Sequence, residues 1–256
     1  MRSTTIVGGN AVSTVTDHDE AQIERANGSG LRPAVFIHGL WLLPSSWDRW
    51  VEVFEGAGLS AMTLGWPDDP ETVAEAKEHP EAFAHKTVGQ VADHLEGLIG
   101  KLDKKPAVIG HSFGGLLAQI LAGRGRSKAT VAIDPAPFRG VLPLPVSALR
   151  SAAPVLGNPA NRNRAVPLTY EQFRFGFANA VSEGEARELY DTYAVPASGA
   201  PLFQAATPIS TRGRKRRSTP RTRGGGRCSS SPVKRTTRSR GPSPTPRSSS
   251  SSETAA

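Results

Sequence analysis

The stretch Lys104–Leu121, KKPAVIGHSFGGLLAQIL, decides the fold. Ala107, Val108 and Ile109 form a short apolar run of the buried-strand type, while Leu116, Leu117, Ile120 and Leu121 recur at helical spacing. Between them stands Gly-His-Ser-Phe-Gly at 110–114, which fits G-x-S-x-G spacing, followed by Gly115. A strand that turns this abruptly into a helix holds its turning residue in a strained backbone conformation, and the glycines remove the side chains that would collide there. The order strand, tight turn, helix predicts that the Ser112 hydroxyl stands above the sheet edge. The N–H of Phe113, at the helix start, then faces any developing oxyanion. Ser112 is the candidate nucleophile; the plain alternative is a Gly-Ser turn without chemistry.

Reading outward, Ala34-Val35-Phe36-Ile37 is a buried strand that breaks into His38-Gly39-Leu40-Trp41. Ser45 and Ser46 are placed to cap a following helix whose apolar face is Trp47, Trp50, Val51 and Phe54. Gly56 and Gly58 end it, and Leu59–Leu64 reads as another strand. Residues 66–86 are acidic and proline-punctuated, an excursion at a strand's carboxyl end. Thr87-x-x-Gln90 is a capping box opening a helix with the stripe Val88, Val91, Leu95, Leu98, Ile99 and Leu102. Beyond the serine, Thr130–Ile133 is a strand ending at Asp134. Strands alternating with helices predict an α/β fold, a mostly parallel sheet with helices on both faces. Ligands in such sheets sit at the carboxyl ends of the strands, where Gly39, Ser112 and Asp134 all fall.

The flanks are less regular. Residues 1–30 are polar, and Ala21–Ala26 reads as a weak edge strand before the turn-forming Asn27-Gly28-Ser29-Gly30. Residues 138–205 carry no strand-like run. Thr169-x-x-Gln172 and Ser182-x-x-Glu185 are capping boxes leading into Phe173, Phe177 and Val181, and into Leu189, Tyr190 and Tyr193. A helical insertion at the strand ends reads as a lid, its aromatic residues either lining an apolar pocket or simply packing.

The 256 residues carry a formal charge of +8. That charge is unevenly spread: residues 1–211 hold 18 Lys+Arg against 22 Asp+Glu, net −4, and residues 212–256 hold 13 against one, net +12. Basicity therefore belongs to the tail and does not imply a nucleic-acid-binding fold. The single cysteine, Cys228, lies in that tail and cannot form a disulfide within the chain, which favours a reducing compartment. The N-terminus lacks the apolar region of a secretory signal and no run is long enough to cross a membrane. A cytoplasmic protein with no membrane partner is the expectation.

VFIHGLW at 35–41, GHSFGG at 110–115, the strand order and a helical lid placed after VAIDPAP together resemble the α/β-hydrolase superfamily over about 31–205. The resemblance implies that Ser112 is the nucleophile and that the backbone N–H groups of Leu40 and Phe113 form the oxyanion hole. It implies that Trp41 borders an acyl pocket, that the substrate is a small-molecule acyl ester, and that no metal or organic cofactor is used. His38 and His111 would be structural or orienting. Composition and the resemblance together divide the chain into an N-terminal segment 1–30, a core 31–137, a lid 138–206 and a basic tail 207–256. In the superfamily an acid and then a histidine follow on loops after two further strands. Here no histidine follows His111, and Asp134, at a position where some members carry the acid, is the remaining candidate.

Residues 207–256 are almost devoid of apolar side chains and are expected to be disordered. One reading is an Arg/Ser tail that binds RNA or DNA through phosphates, attached to a non-catalytic scaffold. The preferred one is a reading-frame error in a GC-rich gene. In the shifted frame each codon takes its second base from the first base of an old codon, and a T there specifies an apolar residue. Cys228-Ser229-Ser230-Ser231 thus becomes four apolar residues in a row, and with freely chosen degenerate bases the surrounding codons reread as ALLIISGEKDHTVPWA, a strand followed by an acid loop. The chain as it stands would then lack its catalytic histidine, its acid and the last strands of its sheet.

Overall fold

The computed structural model describes residues 5–8, 11–141 and 146–207. The chain divides between Thr211 and Arg212, and all described residues belong to the first part. Cys228 and the whole basic segment, with the readings attached to them, lie outside the described residues.

The centre is a parallel sheet of four strands, β3 (Arg32–Ile37), β4 (Leu59–Leu64), β5 (Ala107–His111) and β6 (Ala129–Ile133), in the order β4-β3-β5-β6. β1 (Thr5–Gly8) and β2 (Ala11–Thr14) form a separate antiparallel hairpin. Strand register places Ile37 beside Gly110 and His111 beside Ile133, so the ends of β3, β5 and β6 are level. The apolar runs follow from burial on both faces. On one face Ala34, Phe36 and Ile109 pack with Trp47 and with Val51 and Phe54 of α2 (Asp48–Gly56). On the other, Val35, Ile37 and Val108 pack with Val91, Leu95 and Leu98 of α4 (Val88–Ile99) and Leu117 and Leu121 of α5 (Phe113–Gly123). The Thr87–Gln90 capping box starts α4 as expected.

The two ends of the sheet differ. β4 is covered, and among the described residues no strand pairs with the outer edge of β6, whose Val131 is 51% exposed. Trp50 and Val53 of α2 are exposed as well.

Two local expectations are corrected. Residues 17–29 form a helix, α1, where a weak edge strand was expected over Ala21–Ala26. Thr16 caps it by accepting from the Asp19 N–H, and Gly30 ends it in the left-handed conformation. Its contact with the sheet is partly polar: the buried Gln22 amide donates to the Thr63 carbonyl and accepts from the Thr63 N–H, so the helix lacks the apolar stripe that announces one. Nor do Ser45 and Ser46 cap α2. A 3-10 turn over Pro44–Trp47 intervenes, and Ser46 Oγ donates to the Leu43 carbonyl.

The region after β6 holds α6 (Val146–Leu156), α7 (Tyr170–Phe177), α8 (Glu183–Tyr193) and α9 (Ala200–Ala206), with the two-residue strands β7 (Ala165–Val166) and β8 (Ala197–Ser198) paired antiparallel. Thr169 forms a full capping box on α7, and Ser182 caps α8 through the Glu185 N–H. α3 (Val73–Glu78) lies in the acidic excursion. Among the described residues no helix is long and apolar enough to cross a membrane.

Candidate active site

Ser112 joins β5 to α5 with φ 55° and ψ −120°, a left-handed conformation that L-residues with a side chain adopt only under constraint. The constraint is visible. Ser112 N–H donates to the Ile133 carbonyl at 3.0 Å, and the Ser112 carbonyl accepts from Ala136 N–H at 2.8 Å and Leu116 N–H at 3.1 Å, tying the turn to the end of β6 and to α5. The helix can approach this closely only because its neighbours are glycines. A Cβ on Gly110 would collide with the Gly114 carbonyl, and one on Gly114 with the Ile37 and His38 carbonyls of the adjacent strand end.

That approach brings the His38–Trp41 loop onto the serine. A Cβ built on Gly39 would lie 3.1 Å from Ser112 Cβ and 3.5 Å from Ser112 Oγ. Leu40 follows directly, and Phe113 begins α5, so the two N–H groups expected to form an oxyanion hole both adjoin the serine along the chain or across this contact. Among the described residues neither N–H has a hydrogen-bond partner. A cavity of about 260 Å³ is lined by His38, Gly39, Leu42, Trp47, Trp50 and His111 among others; Ser112, Leu40 and Phe113 are not in its wall.

Trp41 is buried with φ 66° and is held through both its side chain and its backbone: its indole N–H donates to the Val166 carbonyl at 3.0 Å and its own carbonyl accepts from Val195 N–H at 3.2 Å. Its ring meets Phe177 edge-on at 6.2 Å, and Phe177 stacks on Phe173 at 4.9 Å. Trp41 thus fastens the loop to β7, to Val195 and, through Phe177, to α7 of the region after β6.

Asp134 ends β6 in a left-handed conformation, φ 38°, exposed to solvent. It acts on His111 only through charge: burial pushes the His111 imidazole below its ordinary range and Asp134 opposes that shift. His38 is 3% exposed and committed on both sides, with Nδ1 2.8 Å from the Gly39 carbonyl and Nε2 3.0 Å from Asp69 Oδ2. Asp69 also accepts from Lys86 Nζ at 2.7 Å and from Trp66 N–H at 2.9 Å. Burial would raise the Asp69 carboxyl, but Lys86 and His38 outweigh it and hold it below the ordinary carboxylate range. None of the chain's six histidines is hydrogen-bonded to Ser112 among the described residues. The structure therefore brings Ser112, Gly39, Leu40 and Phe113 together and leaves Asp134 exposed at the end of β6, with no hydrogen bond to Ser112 among the described residues. Asp69 and Lys86 were not legible in the sequence, because an ion pair buried from an acidic, irregular segment leaves no periodic signal.

The comparisons with known proteins bear on the whole arrangement. An extracellular alpha/beta-hydrolase from a Paenibacillus species, described as sharing structural and functional homology with tobacco salicylic acid binding protein 2, is 25% identical, with a TM-score of 0.52 over 67% of this chain and 69% of that one. A monoacylglycerol lipase from Paleococcus ferrophilus is 21% identical, with a TM-score of 0.45 over 68% of this chain and 63% of that one. A methylesterase from Arabidopsis is 13% identical, with a TM-score of 0.49 over 70% and 72%. No curated protein matches the chain. The sequence model of the alpha/beta hydrolase family matches residues 34–231, from β3 through the helices that follow β6 and into the basic segment. Its span takes in both the strained serine turn and the loop that packs against it, and the chain belongs to the alpha/beta hydrolase family.

Proposed function

We propose that the chain is the larger part of a serine hydrolase acting on small acyl esters. Ser112 Oγ attacks the acyl carbonyl, the Leu40 and Phe113 N–H groups receive the charge that develops on its oxygen, and departure of the alcohol leaves an acyl-serine that water hydrolyses. The observation that carries this reading is the left-handed Ser112 with Gly39 packed against its hydroxyl. A plain turn would have no reason to hold a side-chain-bearing residue in that conformation between glycines that cannot be replaced.

The same reading makes this particular chain nearly inactive. The serine needs a base, no histidine follows His111, and both nitrogens of His38 are already committed. Loss of the base lowers turnover by roughly 10⁴- to 10⁶-fold. Among the described residues β6 has no partner on its outer edge, where two further strands would lie, and this supports the frame-error interpretation. Resequencing the gene tests that interpretation: a continuous frame shared by related genes would sink it. A fluorophosphonate probe tests the chemistry. Restoring the frame is expected to give rapid labelling lost in Ser112→Ala, whereas the present chain labels slowly. Rapid labelling of the present chain would show that a base has been overlooked, and no Ser112 labelling in the restored protein would remove the nucleophile.

A second reading rests on the net charge of +12 over 212–256, a non-catalytic family member whose tail binds nucleic acid. RNA affinity that falls steeply with salt and disappears when 207–256 are removed favours it.

A further inference from the structure

We infer that α6, α7 and α8 together form a binding site for a phosphate monoester, separate from Ser112 and independent of its proposed chemistry. The site is a cavity of about 570 Å³, a volume suited to a small molecule. Arg150 enters its wall from α6, Tyr170, Arg174 and Phe175 from α7, and Arg187 from α8. It shares no lining residue with the cavity that His38 and His111 border.

Three arginines meet here in a part of the chain that is acidic as a whole, residues 1–211 having a net charge of −4. They are not equally committed. Arg174 Nε lies 3.2 Å from Glu183 Oε2, and the Tyr170 hydroxyl donates to Glu183 Oε1 at 2.6 Å, so that carboxylate is engaged on both oxygens. Arg150 and Arg187 have no carboxylate at ion-pair distance among the described residues; aromatic rings hold them instead. Arg150 Cζ lies 4.2 Å from the centre of the Phe175 ring, and Arg187 Cζ 3.5 Å from that of Tyr170. A guanidinium stacked on a ring is fixed in orientation yet spends none of its N–H groups, because those lie in its own plane. Two forks oriented in advance lose little entropy when they close on an anion.

The arrangement of donors selects among anions. A carboxylate offers one planar edge, which a single fork fills. The two uncommitted forks come from different helices, and a phosphate monoester, with three acceptor oxygens arranged tetrahedrally, accepts from both. Glu171 and Asn179 stand in the same wall, and the Glu171 carboxylate disfavours a bare anion. Both suit a ligand whose phosphate is carried on a hydroxyl-bearing body: the hydroxyls donate to Glu171 and Asn179 while the phosphate accepts from the arginines. Such a ligand ties α6 to α8 across α7.

Titrating the full-length chain with glycerol 3-phosphate at low salt, followed by the Asn179 side-chain amide in ¹H–¹⁵N spectra, tests the site. A saturating shift with a dissociation constant of about 1 mM or tighter is expected. Arg150→Met and Arg187→Met keep an apolar stem on the ring and lose the fork, and each is expected to weaken binding about tenfold. Arg150→Lys and Arg187→Lys keep the charge as well, so they report even where a methionine variant fails to fold; a smaller loss is expected. The basic residues of 212–256 also attract phosphate, but equally in all four variants, so the difference between variants reads the cavity. An Asn179 amide unmoved at about 10 mM glycerol 3-phosphate overturns the inference, as does equal binding by the native chain and the four variants. Succinate tests the choice of anion: weaker binding than glycerol 3-phosphate is expected, and equal binding overturns the assignment to a phosphate.

Discussion

Holding Ser112 at φ 55° costs on the order of 1–3 kcal/mol, which the surrounding hydrogen bonds must offset. Glycine adopts this conformation without strain, so Ser112→Gly is expected to be more stable than Ser112→Ala by about 1 kcal/mol in urea unfolding. Equal stabilities would mean that the turn is relaxed. Gly114 behaves in the opposite sense: Gly114→Ala drives a Cβ into the Ile37 carbonyl, and the unfolding free energy is expected to drop by about 3 kcal/mol. At this scale the sequence was informative because glycines at 110, 114 and 115 around one serine state a steric requirement directly. His38 was readable only as an orienting residue, since its partners Asp69 and Lys86 lie 31 and 48 positions further along the chain.

Elements were legible where one face is apolar and a cap marks the start. The helix α4 satisfies both conditions, and so does α7. The helix α1 was missed because Gln22 and Asp19 are buried in place of apolar residues; the available signal was Thr16 three residues before Asp19, an N-cap spacing. The stripe of α4 hides a titrating group. His94 is buried among its apolar neighbours, and that burial, aided by Lys86 and Lys101 against Asp69 and Asp68, lowers its pKa from 6.5 to about 4. Its unfolded form takes up a proton first as pH falls, so stability is full above about pH 6.5, declines toward pH 4 and then levels, by on the order of 3 kcal/mol. Asp69 adds a loss below about pH 4, where its unfolded carboxyl, but not its folded one, becomes protonated. Denaturant unfolding at pH 7, 5.5 and 4.5 checks this, with His94→Gln expected to flatten the decline above pH 4.

For the whole molecule, the sequence separates an acidic folded part from a basic segment by charge alone, and the family match spans most of the chain. What it could not display is which surfaces stay uncovered, because that depends on strands the described residues do not include. Among the described residues β6 is the last strand of the sheet, and its Val131 is exposed. An unpaired strand edge with apolar side chains recruits other strands, so Val131→Lys is expected to raise the monomer fraction in sedimentation at high protein concentration without changing Ser112 labelling. Inside a cell the same edge has another meaning. Chaperones and proteases survey proteins for unsatisfied backbone and uncovered apolar side chains. Among the described residues the outer edge of β6 shows both, so pulse-chase is expected to show rapid turnover of the chain and slower turnover of the Val131→Lys variant.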